Sequence, residues 1–336
     1  MSRRHSKAAV ASAAASTEGL VVGSHGRHCI VETPDGQRRI CHPRGKKSQA
    51  VVGDHVLWQP PPPGQGEEGT IEKVLERRNL LYRQDEIRTK TFAANIDQVL
   101  VLIAAEPVFS ESQLARALIA AEDAGITPII ALNKYDLEEP FAMAWQRLEA
   151  YRGILNADGS ARYPIIPLNL TSDDPEQKEA LMDLLQGKRS FVLGPSGVGK
   201  STLDAARLLF GPDSPLVPGA QAATNEISRV LNTGKHTTTT TSLYWMDEAR
   251  STAIIDSPGF QEFGLYHIAA TDLPKCMPDI GALADQCKFY NCTHLHEPGC
   301  AVMAEVDNEG SPHYIHPNRY RIYAELFEEL NAGFKY

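Results

Sequence analysis

A small antiparallel barrel, a mostly parallel α/β sheet and a helical C-terminal unit, in that order, are the architecture this sequence predicts. Three observations carry it. Short strands broken by turns fill residues 17–75, continuous apolar strands alternate with helices from about residue 95, and the last 65 residues are helical and loop-rich. At 336 residues the chain has room for two or three cores. Its 42% apolar and 22% charged residues are ordinary for a soluble globular protein. No stretch approaches the 18 apolar residues of a membrane helix. The opening "MSRRHSKAAVASAAAS" lacks the apolar centre of a signal peptide, so residues 1–16 read as a disordered basic tail and the expected location is cytoplasmic, with no membrane partner.

The barrel is expected over 17–78, from "GLVVGS", "HCIVET", "PDGQRRI", "VVGDHVLW" and "GTIEKVL", with Asp35-Gly36 as a hairpin signal. The prolines of "PPPPGQGEEG" lack ladder donors, so this segment is a long exposed loop between barrel strands. Nine basic against four acidic residues leave the first 60 residues at +5, while the remainder stands at -14. That asymmetry suits either a polyanion-facing module or an ordinary solvated surface.

Over 90–265 the strands "IDQVLVLIAA", "ITPIIAL", "YPIIPL", "RSFVL", "TSLYWM" and "STAIID" are separated by "ESQLARALIAAEDAG", a helix around 139–154 and "PEQKEALMDLL". Apolar strands between helices imply a sheet covered on both faces. "RSFVL" runs into "GPSGVGKST": Gly194, Pro195, Ser196, Gly197, Val198, Gly199, Lys200, Ser201 and Thr202. This is a full G-x-x-x-x-G-K-[ST] loop between a strand and a helix, so its backbone amides and the helix N-terminus cradle phosphates. Lys200 would reach the outer phosphates and Ser201 would ligate magnesium.

The base is chosen elsewhere. "NKYD" places Asn133, Lys134 and Asp136 at the carboxyl end of a predicted strand. The Asp136 carboxylate can accept from the guanine N1–H and exocyclic amine, a donor pair that adenine lacks. Asn133 would meet the other edge of the base, and the Lys134 stem would lie along the ring. "AIIDSPGF" adds Asp256 for a magnesium-bound water and the Gly259 amide for the γ-phosphate. Between loop and strand, "GKHTTTTTS" reads as a switch in which Thr237 or Thr238 gives magnesium a hydroxyl; we assign Thr238. All parts of a GTPase are present, but NKYD precedes the phosphate loop, which makes the domain circularly permuted. A P-loop nucleotide kinase fits poorly, because the chain offers NKYD and a threonine switch in place of an acceptor site and an arginine lid.

In this order the chain beyond Gly259 hangs on a γ-phosphate-sensitive loop. There, in 270–336, Cys287, Cys292, His294 and Cys300 are spaced C-x4-C-x-H-x5-C, a closed structural zinc set, with His296 as an alternative to His294. Cys276 reads as a buried small hydrophobe.

Together with "VGDHV", "AANIDQVLVLIA", "LNKYDL", "DSPGFQEFGL" and "CTHLHEPGCAV", these motifs resemble the circularly permuted, ribosome small-subunit-dependent GTPases of the RsgA type, over about residues 18–330. The resemblance implies an N-terminal OB-type β-barrel touching rRNA, an α/β circularly permuted P-loop GTPase domain and a C-terminal α-helical zinc-binding domain, in a monomer. It implies GTP hydrolysed to GDP and phosphate with Mg2+, stimulated by the small ribosomal subunit during its late maturation, and one structural Zn2+. Phe260 and Gln261 follow "DSPG", so no glutamine comes directly after it, and the resemblance points to His236 as the group that orients water. The missing glutamine keeps a second reading in play, a GTP-gated rRNA-binding module with vestigial hydrolysis. Three further departures are "LNLTS" at the guanine-supporting loop, where Asn169-Leu170 would offer backbone contacts, Asp204 in the phosphate helix and Lys235 in the switch.

Overall fold

The computed structural model describes residues 16–45, 49–62, 64, 66–170, 175–195, 198, 241–256 and 263–333. Strands β1 (Thr17–His25), β2 (His28–Glu32), β3 (Arg38–Pro43), β4 (His55–Gln59) and β5 (Gly69–Val74) pair in the order β1-β2-β3-β5-β4. A β1–β4 pairing closes them into a five-stranded barrel of OB type. Alternation points Val21, Val31, Val56, Trp58 and Ile71 inward, together with Cys29 and Cys41. Burial pushes both thiols up to about 12, so they serve as packing. Asp35-Gly36 makes the expected turn, with Gly36 at φ +87°.

The stretch "VVGDHVLW", expected as one strand, is split. Gly53 adopts φ +90°, and a Cβ there would sit 2.0 Å from the Ala94 carbonyl oxygen, so residues 51–54 turn and β4 starts at His55. The buried Asp54 holds this turn, accepting from the Val51 amide (2.8 Å) and from Arg77 Nε (2.7 Å) and Nη2 (2.8 Å).

A hairpin absent from the sequence reading follows, β6 (Leu80–Gln84) with β7 (Thr89–Ala94). Its charged, irregular pattern carries neither strand signal. The α/β unit then runs β8 (Gln98–Ala104), α1 (Glu111–Asp123), β9 (Thr127–Asn133), α2 (Glu138–Arg147), α3 (Glu149–Arg152), β10 (Ile165–Leu168), α4 (Pro175–Leu185), β11 (Arg189–Leu193), β12 (Thr241–Trp245) and β13 (Ala253–Asp256). The strand order is β10-β9-β8-β11-β13-β12, parallel except for β12. Successive β8 residues feed opposite cores. Val99, Val101 and Ile103 join the α1 side with Leu114 and Leu118, while Leu100, Leu102 and Ala104 join α4 through Leu181 and Leu185. The helix expected around 139–154 is two helices, α2 and α3, meeting at Leu148.

Strand β12 also pairs with β1, Ser242 opposite Gly23 and Thr241 opposite Ser24, so barrel and α/β unit share one 11-stranded sheet. The C-terminal unit comprises a 3₁₀ turn (Ala270–Cys276), α5 (Pro278–Ala284), α6 (Ala301–Glu305) and α7 (Pro317–Gly333). Ile322, Tyr323, Leu326, Phe327 and Leu330 of α7 form its buried face at helical spacing. Among the described residues no helix is long and apolar enough to cross a membrane.

Candidate functional site

The phosphate-loop strand β11 lies between β8 and β13, and NKYD leaves β9 on the same carboxyl edge, where ligands of open α/β sheets bind. Gly194 follows β11 directly and packs against β8, where a Cβ would sit 2.5 Å from the Leu102 carbonyl oxygen; only glycine lets the loop start there. Val198, almost fully buried, plugs the loop into the core with Leu102, Ala104, Ala131 and Leu168.

Asn133 links the two motifs. It is only 4% exposed, its Nδ2 donates to the Val198 carbonyl (3.0 Å), and its Oδ1 accepts from the Leu170 amide (3.0 Å). Motifs 65 residues apart, in reversed chain order, are thus joined by one side chain. Lys134 takes φ +67°, and the Tyr135 amide donates to the Leu168 carbonyl (3.1 Å), turning the chain so that Asp136 is exposed at the edge. The Leu170 amide, expected to face guanine, is engaged by Asn133, and residues 171–174 lie outside the described residues.

Asp256 ends β13 with Val192 of β11 on one side and Ser242 of β12 on the other. Pro195 is described; Ser196, Gly197, Gly199, Lys200, Ser201, Thr202, Asp204, Lys235, His236, Thr237, Thr238, Gly259, Phe260 and Gln261 lie outside the described residues. Beyond them, Phe263 stacks on Phe92 (5.7 Å), and the chain pairs with the β6–β7 hairpin. The Gln84 amide donates to the Gly264 carbonyl (3.1 Å), and the Tyr266 amide donates to the Gln84 carbonyl (3.0 Å). A Cβ on Gly264 would meet the Gln84 carbonyl oxygen at 2.5 Å. The sequence reading missed this clamp, whose one signal is the glycine of "FGL".

The second cluster is compact. Donor atoms of Cys287, Cys292, His294 and Cys300 all lie within 4.8 Å of one another. Sγ of Cys287 is 3.4 Å from His294 Nδ1, Sγ of Cys300 is 3.5 Å from it, and the two sulfurs are 3.9 Å apart. A tetrahedral zinc centre needs S···N of about 3.6 Å and S···S of about 3.8 Å, so the donor set fits zinc. Burial lowers the His294 pKa, keeping the imidazole neutral as a ligand must be. The Ala301 amide donates to Cys287 Sγ and the Met303 amide to Cys300 Sγ, both at 3.4 Å. Tyr320 Oη donates to the His294 carbonyl at 2.8 Å. His296 is exposed and outside the cluster, and Cys276 is buried apart from it.

A phosphate loop and an NKxD on one sheet edge, in reversed chain order, define a circularly permuted GTPase. The RsgA GTPase family model matches residues 74–266, and the chain belongs to that family of GTP hydrolases. It is 60% identical over 331 residues, 98% of both chains, to the small ribosomal subunit biogenesis GTPase RsgA of Variovorax paradoxus (strain S110). To the protein so named in Paraburkholderia xenovorans (strain LB400) it is 43% identical, over 98% of this chain and 99% of that one. The crystal structure of YjeQ from Thermotoga maritima superposes with a TM-score of 0.67 at 28% identity, over 94% of this chain and 99% of that chain. YloQ, described as a circularly permuted GTPase, shares the fold with a TM-score of 0.63 at 24% identity.

Proposed function

We propose that this GTPase acts in the cytoplasm on the small ribosomal subunit in its late maturation, as a monomer that meets rRNA through its N-terminal barrel and hydrolyses GTP while bound. The observation that carries the nucleotide half is the Asn133 bridge to Val198 and Leu170, which sets a guanine-reading segment against a phosphate loop. Asp136 reads the guanine donor pair, Asn133 and Lys134 frame the base, and residues Gly194 to Thr202 bind the phosphates, with Lys200 on the outer ones. Ser201, Thr238 and a water on Asp256 would hold magnesium, which when bound neutralises charge developing on the phosphates. The Gly259 amide meets the γ-phosphate, and His236 orients the attacking water. Cys287, Cys292, His294 and Cys300 hold one zinc ion as a structural element. The ribosomal half is supported by the names of the relatives and by the +5 charge of the first 60 residues.

The test is GTP turnover by the purified protein, alone and with isolated small subunits. A slow basal rate that rises strongly supports the reading. An unchanged rate assigns the switch to another partner. His236→Ala should abolish the stimulated rate, and full activity in that variant would remove His236 from the mechanism.

A further inference from the structure

The barrel reaches the reacting edge of the sheet through two adjacent strand pairs. Gly23 of β1 lies opposite Ser242 of β12, and Ser242 lies opposite Asp256 of β13. One buried carboxylate closes this joint. Glu32, at the end of β2 and 5% exposed, accepts from Arg38 Nε through Oε2 (2.9 Å) and from Trp245 Nε1 through Oε1 (2.8 Å). Arg250 Nη1 lies 3.4 Å from the same Oε1. Trp245 is the last residue of β12, and Arg250 lies in the turn from β12 to β13. The barrel turn makes room for this contact, since a Cβ on Gly36 would meet Arg250 Nη2 at 2.0 Å. Burying a carboxylate costs several kcal/mol of hydration, and an apolar side chain would fill the joint without that cost. What the carboxylate adds is direction, because its two oxygens orient an indole N–H and two guanidinium groups from three segments at once.

We propose that Glu32 is a positioning residue for GTP hydrolysis. Standing in the barrel, it anchors Trp245, holds β12 in register on β1, and so sets Ser242 and its neighbour Asp256. The inference rests on the placement of Asp256 in the nucleotide site.

The experiment compares Glu32→Gln, Trp245→Phe, the double variant and Asp256→Asn with the parent, in full-length protein, by steady-state GTP turnover with and without small subunits. Glu32→Gln and Trp245→Phe should each lower kcat about tenfold while KM for GTP stays within about twofold, as expected for a misplaced reacting group. The double variant should lose less than the product of the two single losses, because the Glu32–Trp245 contact is common to both. Glu32→Asp should recover part of the rate. An unchanged KM shows that the variants are folded and bind GTP. A kcat within twofold of the parent in both single variants overturns the proposal, as does a KM that rises in step with the fall in kcat. If Asp256→Asn hydrolyses GTP normally, it is the site reading that fails. A parent that small subunits do not stimulate counts against the ribosomal reading alone.

Discussion

The GTPase sheet is held at two ends by joints of opposite construction. On the barrel side a backbone ladder between β1 and β12 sets the alignment, and the buried charge is a carboxylate, Glu32, served by donors. On the C-terminal side the buried charge is a guanidinium. Arg319 of α7, 1% exposed, donates to Asp279 of α5 through Nε (3.1 Å) and Nη2 (2.6 Å). Its charge lies 5.0 Å from the Tyr151 ring and 6.0 Å from the Tyr163 ring, both from the α/β unit. Burial works against the charge, and Asp279 outweighs it, so Arg319 stays protonated. The bidentate Arg116–Glu329 pair, from α1 to α7, adds a second side-chain tie. A ladder transmits register, because a one-residue slip would turn every side chain over. A packed guanidinium fixes distance and orientation but has no register to transmit. The barrel joint is therefore suited to fixing alignment along the sheet, and the C-terminal joint to fixing the distance and orientation of the helical unit.

The largest break falls on the C-terminal side. With zinc held as proposed by the Cys3His cluster, a chelator, or replacing Cys292 with Ser, should unfold the segment around 287–300, because a structural zinc supplies about 10 kcal/mol or more of apparent folding energy to such a unit. Limited proteolysis should then cut within the C-terminal unit while the barrel and sheet stay resistant; full resistance would show that α5 and α7 hold the segment without metal. Next, Arg319→Met should cost about 3–5 kcal/mol, since it strands Asp279 buried and unpaired. Adding Asp279→Leu should restore most of that loss in urea unfolding, and a double variant as unstable as the single one would mean that the aromatic contacts dominate.

A smaller effect concerns His267, packed 4.4 Å from the Tyr82 ring with Nε2 3.6 Å from Asp123. Burial lowers its pKa from 6.5, and the Asp123 charge only partly opposes this. The native state therefore binds fewer protons than the unfolded chain, and the stability His267 contributes is full above about pH 6.5 and is lost as pH falls. Between pH 7 and 5 the parent should weaken more steeply than His267→Phe. The smallest effect is on the barrel side. Arg250→Met removes a contact that is 38% exposed, so unfolding should shift by under about 1 kcal/mol. A larger shift would make the outer half of the Glu32 joint a stability element as well.

Legibility divides along the same line. Strands β8, β9 and β11 could be read off the chain because both faces are buried along their length and their central residues form continuous apolar runs. Helix α4 was marked by its spacing, and the Cys3His cluster by its own. The β6–β7 hairpin could not be read, since its charged strands pair with each other and with a bridge from Gln84 to Leu265. The split of "VVGDHVLW" was hidden in Gly53, whose left-handed backbone answers to Ala94, forty-one positions on.

By itself the sequence determined the motifs available: a G-x-x-x-x-G-K-[ST] loop, an NKxD, a permuted order and three thiols with an imidazole. These depend on residue type at short spacing, and short spacing survives in any fold that keeps the local strand, loop and helix. The tertiary structure decided which of two neighbouring histidines turns inward. His294 sits at φ +61° with its carbonyl held by Tyr320, and neither feature is written in C-x4-C-x-H-x5-C. Likewise it alone placed Asn133 on Val198 and Trp245 on Glu32, 65 and 213 residues apart, because hydrogen bonds across such distances exist only once the sheet has closed.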